Sequence, residues 1–305
     1  MKPSFLLTVL PLFWWIHAEA ETVASAHLTM DGAVPEIYKT ASGYDLFLYR
    51  FDPEGHDPNT DRRPAVVFFF GGGWNGGSPT QFERHSRYLA SRGMVAFVAD
   101  YRVRSRQEAT PNLCVEDGKS SVRWIRQHAE RLGIDPTNVI AGGGSAGGHV
   151  AAAAGMCDGF EAEGEDLSIS SKPVALLLFN PVYDNGPEGY GHARVEEWFP
   201  AISPAHNITK DDPPAIVFLG SQDKLIPVAT GETFRDDMEA LGLLSELHVY
   251  EGAAHGFFNG RKDEEKLYFE DTLLKMDQFL TKLRYLNGKP DTDLMAALAA
   301  ETWKK

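Results

Sequence analysis

A serine between glycines has the sequence setting of a catalytic nucleophile. The segment Gly143-Gly144-Ser145-Ala146-Gly147 fits the pattern Gly-x-Ser-x-Gly and lies between a predicted strand at 138–141 and a predicted Ala-rich helix at 146–156. A serine on such a strand-to-helix turn projects its hydroxyl at the sheet edge, and its neighbours must be very small. The pattern predicts acyl transfer through Ser145; the structural alternative is a Gly-rich turn that begins an Ala-rich helix.

Residues suited to activate that serine follow two later strands. Asp223 comes after a predicted strand at 215–219, and His255 comes after one at 245–250. A serine hydroxyl becomes a good nucleophile when a base takes its proton; a histidine does this at neutral pH, and a carboxylate holds the histidine's tautomer. The chain order Ser, Asp, His is that of the α/β-hydrolases. Asp184 and Glu251 remain alternative acids.

The chain has ten histidines, so the one that follows a strand must be distinguished from the others. His85, His128 and His149 lie in predicted helices, which favours structural roles for them. His192 and His206 lie in an irregular segment and are candidates for substrate contact. The sequence contains neither His-Glu-x-x-His nor a Cys/His cluster, so no catalytic metal is expected. Acyl transfer through a serine needs no cofactor, and none is expected.

A glycine-rich loop follows the first central strand. Gly71-Gly72-Gly73 comes directly after the apolar strand predicted at 65–70. Consecutive glycines let adjacent N–H groups turn inward without a side-chain clash. Two such donors, with the N–H of Ala146, would bind the oxyanion of a tetrahedral intermediate. The alternative, a phosphate-binding loop, is disfavoured because the chain lacks Gly-x-x-x-x-Gly-Lys-Ser/Thr and a convincing acidic ribose partner.

The segments around these residues predict alternating strands and helices. An antiparallel hairpin at 34–39 and 44–51 precedes further strands at 65–70, 94–99, 138–141, 174–179, 215–219 and 245–250. Helices are predicted at 79–92, 112–132, 146–156, 228–241 and 264–286. This order predicts an α/β fold with a mostly parallel central sheet and helices on both faces. Ligands of such sheets bind at the carboxyl ends of the strands, where the motifs above fall.

Composition and charge limit the classes of protein and partner. Hydrophobic residues make up 43% and charged residues 24% of the 305 residues, as in ordinary globular proteins. The formal net charge of −14 would repel nucleic-acid phosphates and anionic lipids, so neither nucleic acid nor a membrane is expected as a partner.

The N-terminus has the pattern of a secretory signal peptide. Lys2 precedes an apolar run at 5–16, and Ala18-Glu19-Ala20 resembles a cleavage site. The run is shorter than the roughly 20 residues of a membrane-spanning helix. We therefore predict a signal peptide at 1–20, a single domain at 21–305, and a secreted or periplasmic protein.

Two cysteines raise the question of a disulfide in an exported protein. Cys114 lies near the start of one predicted helix and Cys157 near the end of the next. If both helices begin at the same sheet edge, the two residues lie about 18 Å apart, too far for a bridge. We expect two buried free thiols.

Together the motifs resemble those of a known family. The chain resembles the hormone-sensitive-lipase-type esterases of the α/β-hydrolase fold, and most of all their bacterial acetyl xylan and feruloyl esterase-like branch. Four motifs carry the resemblance: the Gly-Gly-Gly-Trp loop, the Gly-Gly-Ser-Ala-Gly-Gly turn, Asp-Lys-x-x-Pro and the late His-Gly-Phe. The resemblance covers residues 34–286. It implies a triad of Ser145, Asp223 and His255.

The same resemblance implies oxyanion donors at Gly71, Gly72 and Ala146. One departure is Phe70, where many relatives have a histidine that supports the loop. This departure affects the loop geometry rather than the reaction class, and it favours the carbohydrate-esterase-like branch over the lipases.

The expected reaction is hydrolysis of short-chain acyl esters through an acyl-enzyme. A small cap insert at about 181–211 would leave the site open, which suits acetyl groups on bulky or polymeric alcohols such as polysaccharides. Five aromatic residues would supply faces for a sugar: Trp74, Tyr183, Tyr190, Trp198 and Phe257. A prolyl-oligopeptidase-type peptidase and an inactive hydrolase-fold binding module are the alternatives. The peptidase normally needs a propeller domain, and the binding module should have lost a triad member.

Overall fold

The fold is organised around one eight-stranded sheet. It is known from a computed structural model that describes residues 27–301, so the predicted signal peptide and its cleavage site lie outside the described residues. The strands in chain order are β1 (Val34–Ala41), β2 (Tyr44–Phe51), β3 (Arg63–Phe69), β4 (Val95–Ala99), β5 (Ile134–Gly144), β6 (Leu176–Phe179), β7 (Ala215–Gly220) and β8 (Ser245–Tyr250).

The sheet is mostly parallel, as the alternating pattern predicted. Its spatial order is β1-β2-β4-β3-β5-β6-β7-β8, with β1 and β2 forming an antiparallel hairpin and β3 to β8 running parallel to one another. Every residue of β4, β6 and β7 is buried because helices cover both faces of the sheet. The structure confirms the α/β fold class.

Helices connect and cover the strands. In chain order they are α1 (Glu83–Ser91), α2 (Arg104–Gln107), α3 (Pro111–Gln127), α4 (Ala129–Leu132), α5 (Ala146–Met156), α6 (His192–Val195), α7 (Val228–Ala240), α8 (Lys266–Lys282) and α9 (Thr292–Ala300). Within residues 27–301, none of them is long and apolar enough to cross a lipid bilayer.

Three predicted helices differ from the observed ones. The helix predicted at 79–92 begins as a 3₁₀ turn, Pro79–Phe82, and continues as α1 from Glu83. The single helix predicted at 112–132 is divided into α3 and α4 at His128, whose backbone leaves the helical region at φ −103° and ψ 12°. The helix predicted at 264–286 ends as α8 at Lys282, and α9 follows it with Asp291 as N-cap, accepting a hydrogen bond from Leu294 N–H at 2.9 Å. Helix α9 packs Met295 and Leu298 into the same core cluster as α8.

Both cysteines are buried free thiols, as the predicted helix positions implied. The Cys114 thiol lies 3.2 Å from the carbonyl oxygen of Arg102. Burial raises the pKa of the Cys157 thiol to about 12 and raises that of Cys114 as well, so neither thiol is ionised at neutral pH.

Candidate active site

The strand-to-helix turn between β5 and α5 holds Ser145 in an unusual backbone conformation. Its φ is 53° and its ψ is −120°, in a region that L-residues other than glycine rarely occupy. Residues held in such regions typically store about 1–3 kcal/mol of strain. Only glycine fits at position 147 beside the neighbouring strand, because a Cβ added to Gly147 would lie 2.1 Å from the carbonyl oxygen of Phe69.

Backbone hydrogen bonds hold this strained turn in place. Ser145 N–H donates to the carbonyl oxygen of Phe179 at the end of β6, at 2.9 Å, and the Ser145 carbonyl accepts from Val182 and His149, each at 3.1 Å. The serine is thus fixed by the neighbouring strand, by the chain that follows it and by its own helix.

The predicted triad residues form one hydrogen-bonded chain. His255 Nε2 lies 3.0 Å from Ser145 Oγ, and His255 Nδ1 lies 2.7 Å from Asp223 Oδ2. All three follow parallel strands at the carboxyl edge of the sheet, which brings residues distant in sequence together. The alternative acids do not contact His255: the Asp184 carboxylate accepts from Gly186 N–H, and Glu251 is exposed.

The Asp223 carboxylate is held in its ionised form. Burial alone would raise its pKa, but hydrogen bonds from His255 and from the N–H groups of Ile226 and Leu225 outweigh burial and lower it. The two backbone bonds to Oδ1 measure 3.0 and 2.8 Å, so Oδ2 remains available to the imidazole. An ionised, fully buried carboxylate side chain is suited to orienting the histidine and stabilising its protonated form.

The loop that carries the histidine is held by two asparagines that the sequence analysis missed. Asn180 is fully buried, and its Oδ1 accepts a hydrogen bond from Gly256 N–H at 2.9 Å. Asn259 Nδ2 donates to the carbonyl oxygen of Gly256 at 2.7 Å. Asn180 directly follows β6, and this shared position after a strand was the signal that could have identified it.

One of the three predicted oxyanion donors already has a hydrogen-bond acceptor in the structure. Gly71 N–H donates to Gln81 Oε1 at 2.6 Å and is therefore occupied. Gly72 and Gly73 follow with φ of 142° and 63°, and all three glycines line the same cavity as Ser145. Ala146 is the first residue of α5, so its N–H has no acceptor one turn earlier in the helix.

A column of rings supports the glycine loop. The Trp74 ring meets the His149 ring edge-on, with centroids 5.1 Å apart, and the Arg194 guanidinium lies 4.9 Å above the Trp74 ring. His149 lies on α5, and its Nε2 lies 2.9 Å from the carbonyl oxygen of Ile202 in the insert. Burial lowers the pKa of His149 to about 4, so it is neutral at pH 7, as a structural histidine should be.

A cavity of about 650 Å³ opens over the serine. Of the five aromatic residues predicted to contact substrate, Tyr190 lines this cavity. Trp74 and Phe257 are almost fully buried in the core, and Tyr183 is buried and stacks on Phe234, with ring centroids 4.6 Å apart.

Trp198 packs against the small apolar cluster that contains Val195 and Ile202, and it is not among the residues that line the cavity over the serine. The aromatic prediction therefore mostly identified core residues, since large rings in a glycine-rich region gain most by burial.

Neither of the insert histidines lines the cavity over the serine. His192 Nδ1 lies 2.8 Å from the carbonyl oxygen of Asn185, and His206 Nδ1 lies 2.9 Å from Ser203 Oγ. Both side chains organise the insert. Within residues 27–301, no group of three or more acidic, histidine or cysteine side chains has the arrangement of a metal site.

Comparisons with known proteins identify relatives over most of the chain. The BD-FAE model matches residues 55–177, and the dienelactone hydrolase family model matches residues 189–283. Thermogutta terrifontis esterase 2 phosphoramylated by tabun is 46% identical with a TM-score of 0.82, over 86% of this chain and 98% of that one. Its propionate-bound form is 45% identical with a TM-score of 0.79, over 85% and 97%.

Curated relatives match over a smaller share of their own length. Esterase LipC of Mycobacterium tuberculosis is 28% identical over 66% of this chain and 55% of that protein. The chain spans about half the length of the first such relatives. The 46% identity over nearly the full length of a solved esterase shows that this chain belongs to the α/β-hydrolase esterases, consistent with its hormone-sensitive-lipase-type motifs.

Proposed function

We propose that this protein is a serine carboxylesterase that hydrolyses short-chain acyl esters. The observation that carries the proposal is the hydrogen-bonded chain Ser145–His255–Asp223 at the floor of an open cavity. Ser145 is the nucleophile, His255 the general base and Asp223 the residue that orients the imidazole. The N–H groups of Gly72 and Ala146 are the oxyanion donors, and Gly73 replaces Gly71 as the third because Gly71 N–H is bound to Gln81.

The reaction proceeds through an acyl-enzyme. Ser145 Oγ attacks the ester carbonyl while its proton passes to His255 Nε2, and the carbonyl oxygen becomes an oxyanion. The tetrahedral intermediate collapses, and His255 gives the proton to the departing alkoxide. Water then attacks the acyl group, with its proton taken by His255, and the acid leaves as Ser145 recovers its proton. Donors aimed at the oxyanion typically each contribute about 10² to 10³ in rate.

Acetyl groups on carbohydrate are the substrate class we propose within this activity. The related esterase 2 is known in propionate-bound and butyrate-bound forms, which supports small acyl groups here. The insert at 181–211 forms only one helical turn and short 3₁₀ segments, so bulky alcohols have access to the site. Together with the predicted signal peptide, this leads us to propose a secreted or periplasmic enzyme that deacetylates a polysaccharide.

Hydrolysis of p-nitrophenyl acetate, butyrate and decanoate, beside acetate release from acetylated xylan, tests these proposals. The mature protein should cleave acetate and butyrate faster than decanoate, and Ser145→Ala should be inactive on all of them. Activity retained in Ser145→Ala would refute the assigned nucleophile. Faster turnover of decanoate than of acetate would refute the proposed preference for short acyl groups. Inactivity on acetylated xylan alone would refute only the proposed polysaccharide substrate.

A further inference from the structure

The charge of the cavity over Ser145 is opposite to that of the whole chain. The chain carries a formal net charge of −14, yet the charged residues that line this cavity are two arginines, Arg194 and Arg261, beside His255. Within residues 27–301, no aspartate or glutamate lines it. Clefts lined by one sign of charge concentrate substrates of the opposite sign.

Arg194 is held in a defined position within this cavity. Its Nη1 donates to the carbonyl oxygen of Gly73 at 2.7 Å, and its guanidinium carbon lies 4.9 Å from the Trp74 ring centroid and 5.0 Å from that of Tyr190. The side chain is thus fixed by the glycine loop and by two aromatic faces. A long side chain that is already ordered loses less conformational entropy when it binds a ligand.

The guanidinium of Arg194 retains donors for a ligand. A guanidinium carries five N–H groups, and the contact with Gly73 uses one nitrogen. Among the described residues, Arg194 forms no ion pair, although the chain contains 43 acidic residues. An ordered guanidinium without a carboxylate partner, in a cavity without carboxylates, favours an anionic group.

The adjoining cavity limits where that group can bind. A second cavity of about 350 Å³ shares Tyr190 and Leu225 with the first one, and it is lined by Asp184, Glu188 and Lys224. Its two carboxylates outnumber its single lysine, so an anion gains nothing there. Of the two cavities, the one over Ser145 is therefore the favourable place for a negative charge. Within it, Arg261 lies close to Glu265, whose carboxylate accepts a hydrogen bond from Arg261 N–H at 3.1 Å, so we place the anionic group beside Arg194.

From these observations, and resting on the proposed esterase activity, we propose that the preferred substrates are short-acyl esters bearing a carboxylate, which Arg194 binds beside the reacting ester. The carboxylate can belong to the alcohol part, as in an acetylated acidic sugar, or to the acyl part, as in a dicarboxylic acid monoester. The guanidinium recognises the same chemistry in both cases, and two experimental arms separate them.

The test compares matched anionic and neutral esters. In the alcohol arm, kcat/KM is measured for para-acetoxybenzoate and para-acetoxybenzamide; in the acyl arm, for the p-nitrophenyl monoester of glutaric acid and p-nitrophenyl butyrate. Each value is divided by the spontaneous hydrolysis rate. The readout is the anionic-to-neutral ratio, because a merely structural role of Arg194 at Gly73 would change both substrates equally.

We expect Arg194→Gln to lower this ratio about fivefold in at least one arm, as for a partly exposed ion pair. Arg194→Lys should lower it less, and Arg235→Gln, which removes an equal charge from α7 outside the cavity, should leave it unchanged. High salt should reduce the wild-type preference.

Three outcomes distinguish the proposals. An equal ratio in wild type and Arg194→Gln in both arms overturns the carboxylate proposal. If Arg194→Gln does not fold, the anionic-to-neutral ratio of Arg194→Lys and the salt dependence of the wild-type ratio test the proposal instead. A ratio that neither Arg194→Lys nor salt changes also overturns the carboxylate proposal. Failure of the wild type to cleave any of the four esters, anionic or neutral, would instead refute the esterase activity itself.

Discussion

Replacement of Gln81 tests which peptide groups bind the oxyanion. Gln81 lies on the short 3₁₀ turn Pro79–Phe82, and its Oε1 accepts from Gly71 N–H at 2.6 Å. Its Nε2 donates to Asn259 Oδ1 at 3.0 Å, and Asn259 in turn holds the carbonyl oxygen of Gly256 beside His255. One glutamine therefore links the glycine loop to the histidine loop.

The expected losses in stability and in rate follow from the two hydrogen bonds that Gln81→Ala removes. A hydrogen bond of this kind contributes about 0.5–1.5 kcal/mol net, so the free energy of unfolding should fall by about 1–3 kcal/mol. The loops on both sides of Ser145 would then be less well placed, and a loss of about 1.4 kcal/mol in the transition state lowers kcat/KM about tenfold. We expect the loss mainly in kcat, because the contact positions catalytic groups.

Kinetics on p-nitrophenyl acetate and urea unfolding of each variant provide the measurements. Gln81→Met keeps the side-chain length and removes the same two hydrogen bonds, so it should resemble Gln81→Ala in rate. Gln127→Ala, an exposed glutamine at the end of α3, is the matched control and should change neither quantity. An increase in kcat for Gln81→Ala would refute the reasoning, because it would mean that a released Gly71 N–H binds the oxyanion.

Other perturbations test the acid and the thiols. Asp223→Asn should lower kcat on the order of 10⁴-fold, since its amide N–H would face His255 Nδ1 and favour the wrong tautomer. Folding lowers the pKa of Asp223, so its ionised form stabilises the fold above about pH 4, and this contribution is lost as the pH falls through the folded-state pKa. The free energies of unfolding of wild type and Asp223→Asn, measured in urea, should therefore differ most near pH 7 and converge in strong acid. Cys114 and Cys157 should not react with a disulfide reagent at neutral pH until the protein is unfolded, and rapid labelling of the native protein would contradict their burial.

Much of the fold could be predicted because its signals are local. Continuous apolar runs mark β3, β4, β6 and β7, since strands buried on both faces need no polar side chain. The break at His128 could not be predicted, because the segment 112–132 keeps a helical pattern throughout. Helix α9 was missed because it gains its stability by packing on α8 rather than from a pronounced periodicity of its own.

The site divides in the same way between local and distant causes. Ser145, Asp223 and His255 each follow a strand in a recognisable motif. Their motifs and their order in the sequence were therefore enough to predict that they form one site. Asn180 and Arg194 have no motif, and their partners Gly256 and Gly73 lie 76 and 121 positions away in the chain. Such residues become visible only when the fold brings the segments into contact.

The glycine loop that is predicted to bind the oxyanion shows why a sequence motif does not by itself identify the donor atoms. Three consecutive glycines indicate that the backbone approaches a ligand, but each peptide N–H can face only one acceptor. In this loop, Gln81 accepts the first N–H, while Gly72 and Gly73, both with positive φ, line the cavity over Ser145. Trp74 tolerates a φ of 57° because its ring is fixed between His149 and Arg194. We therefore expect Gln81 and the ring column to decide which N–H groups bind the oxyanion, and a variant that removes either should change catalysis while leaving the glycine motif intact.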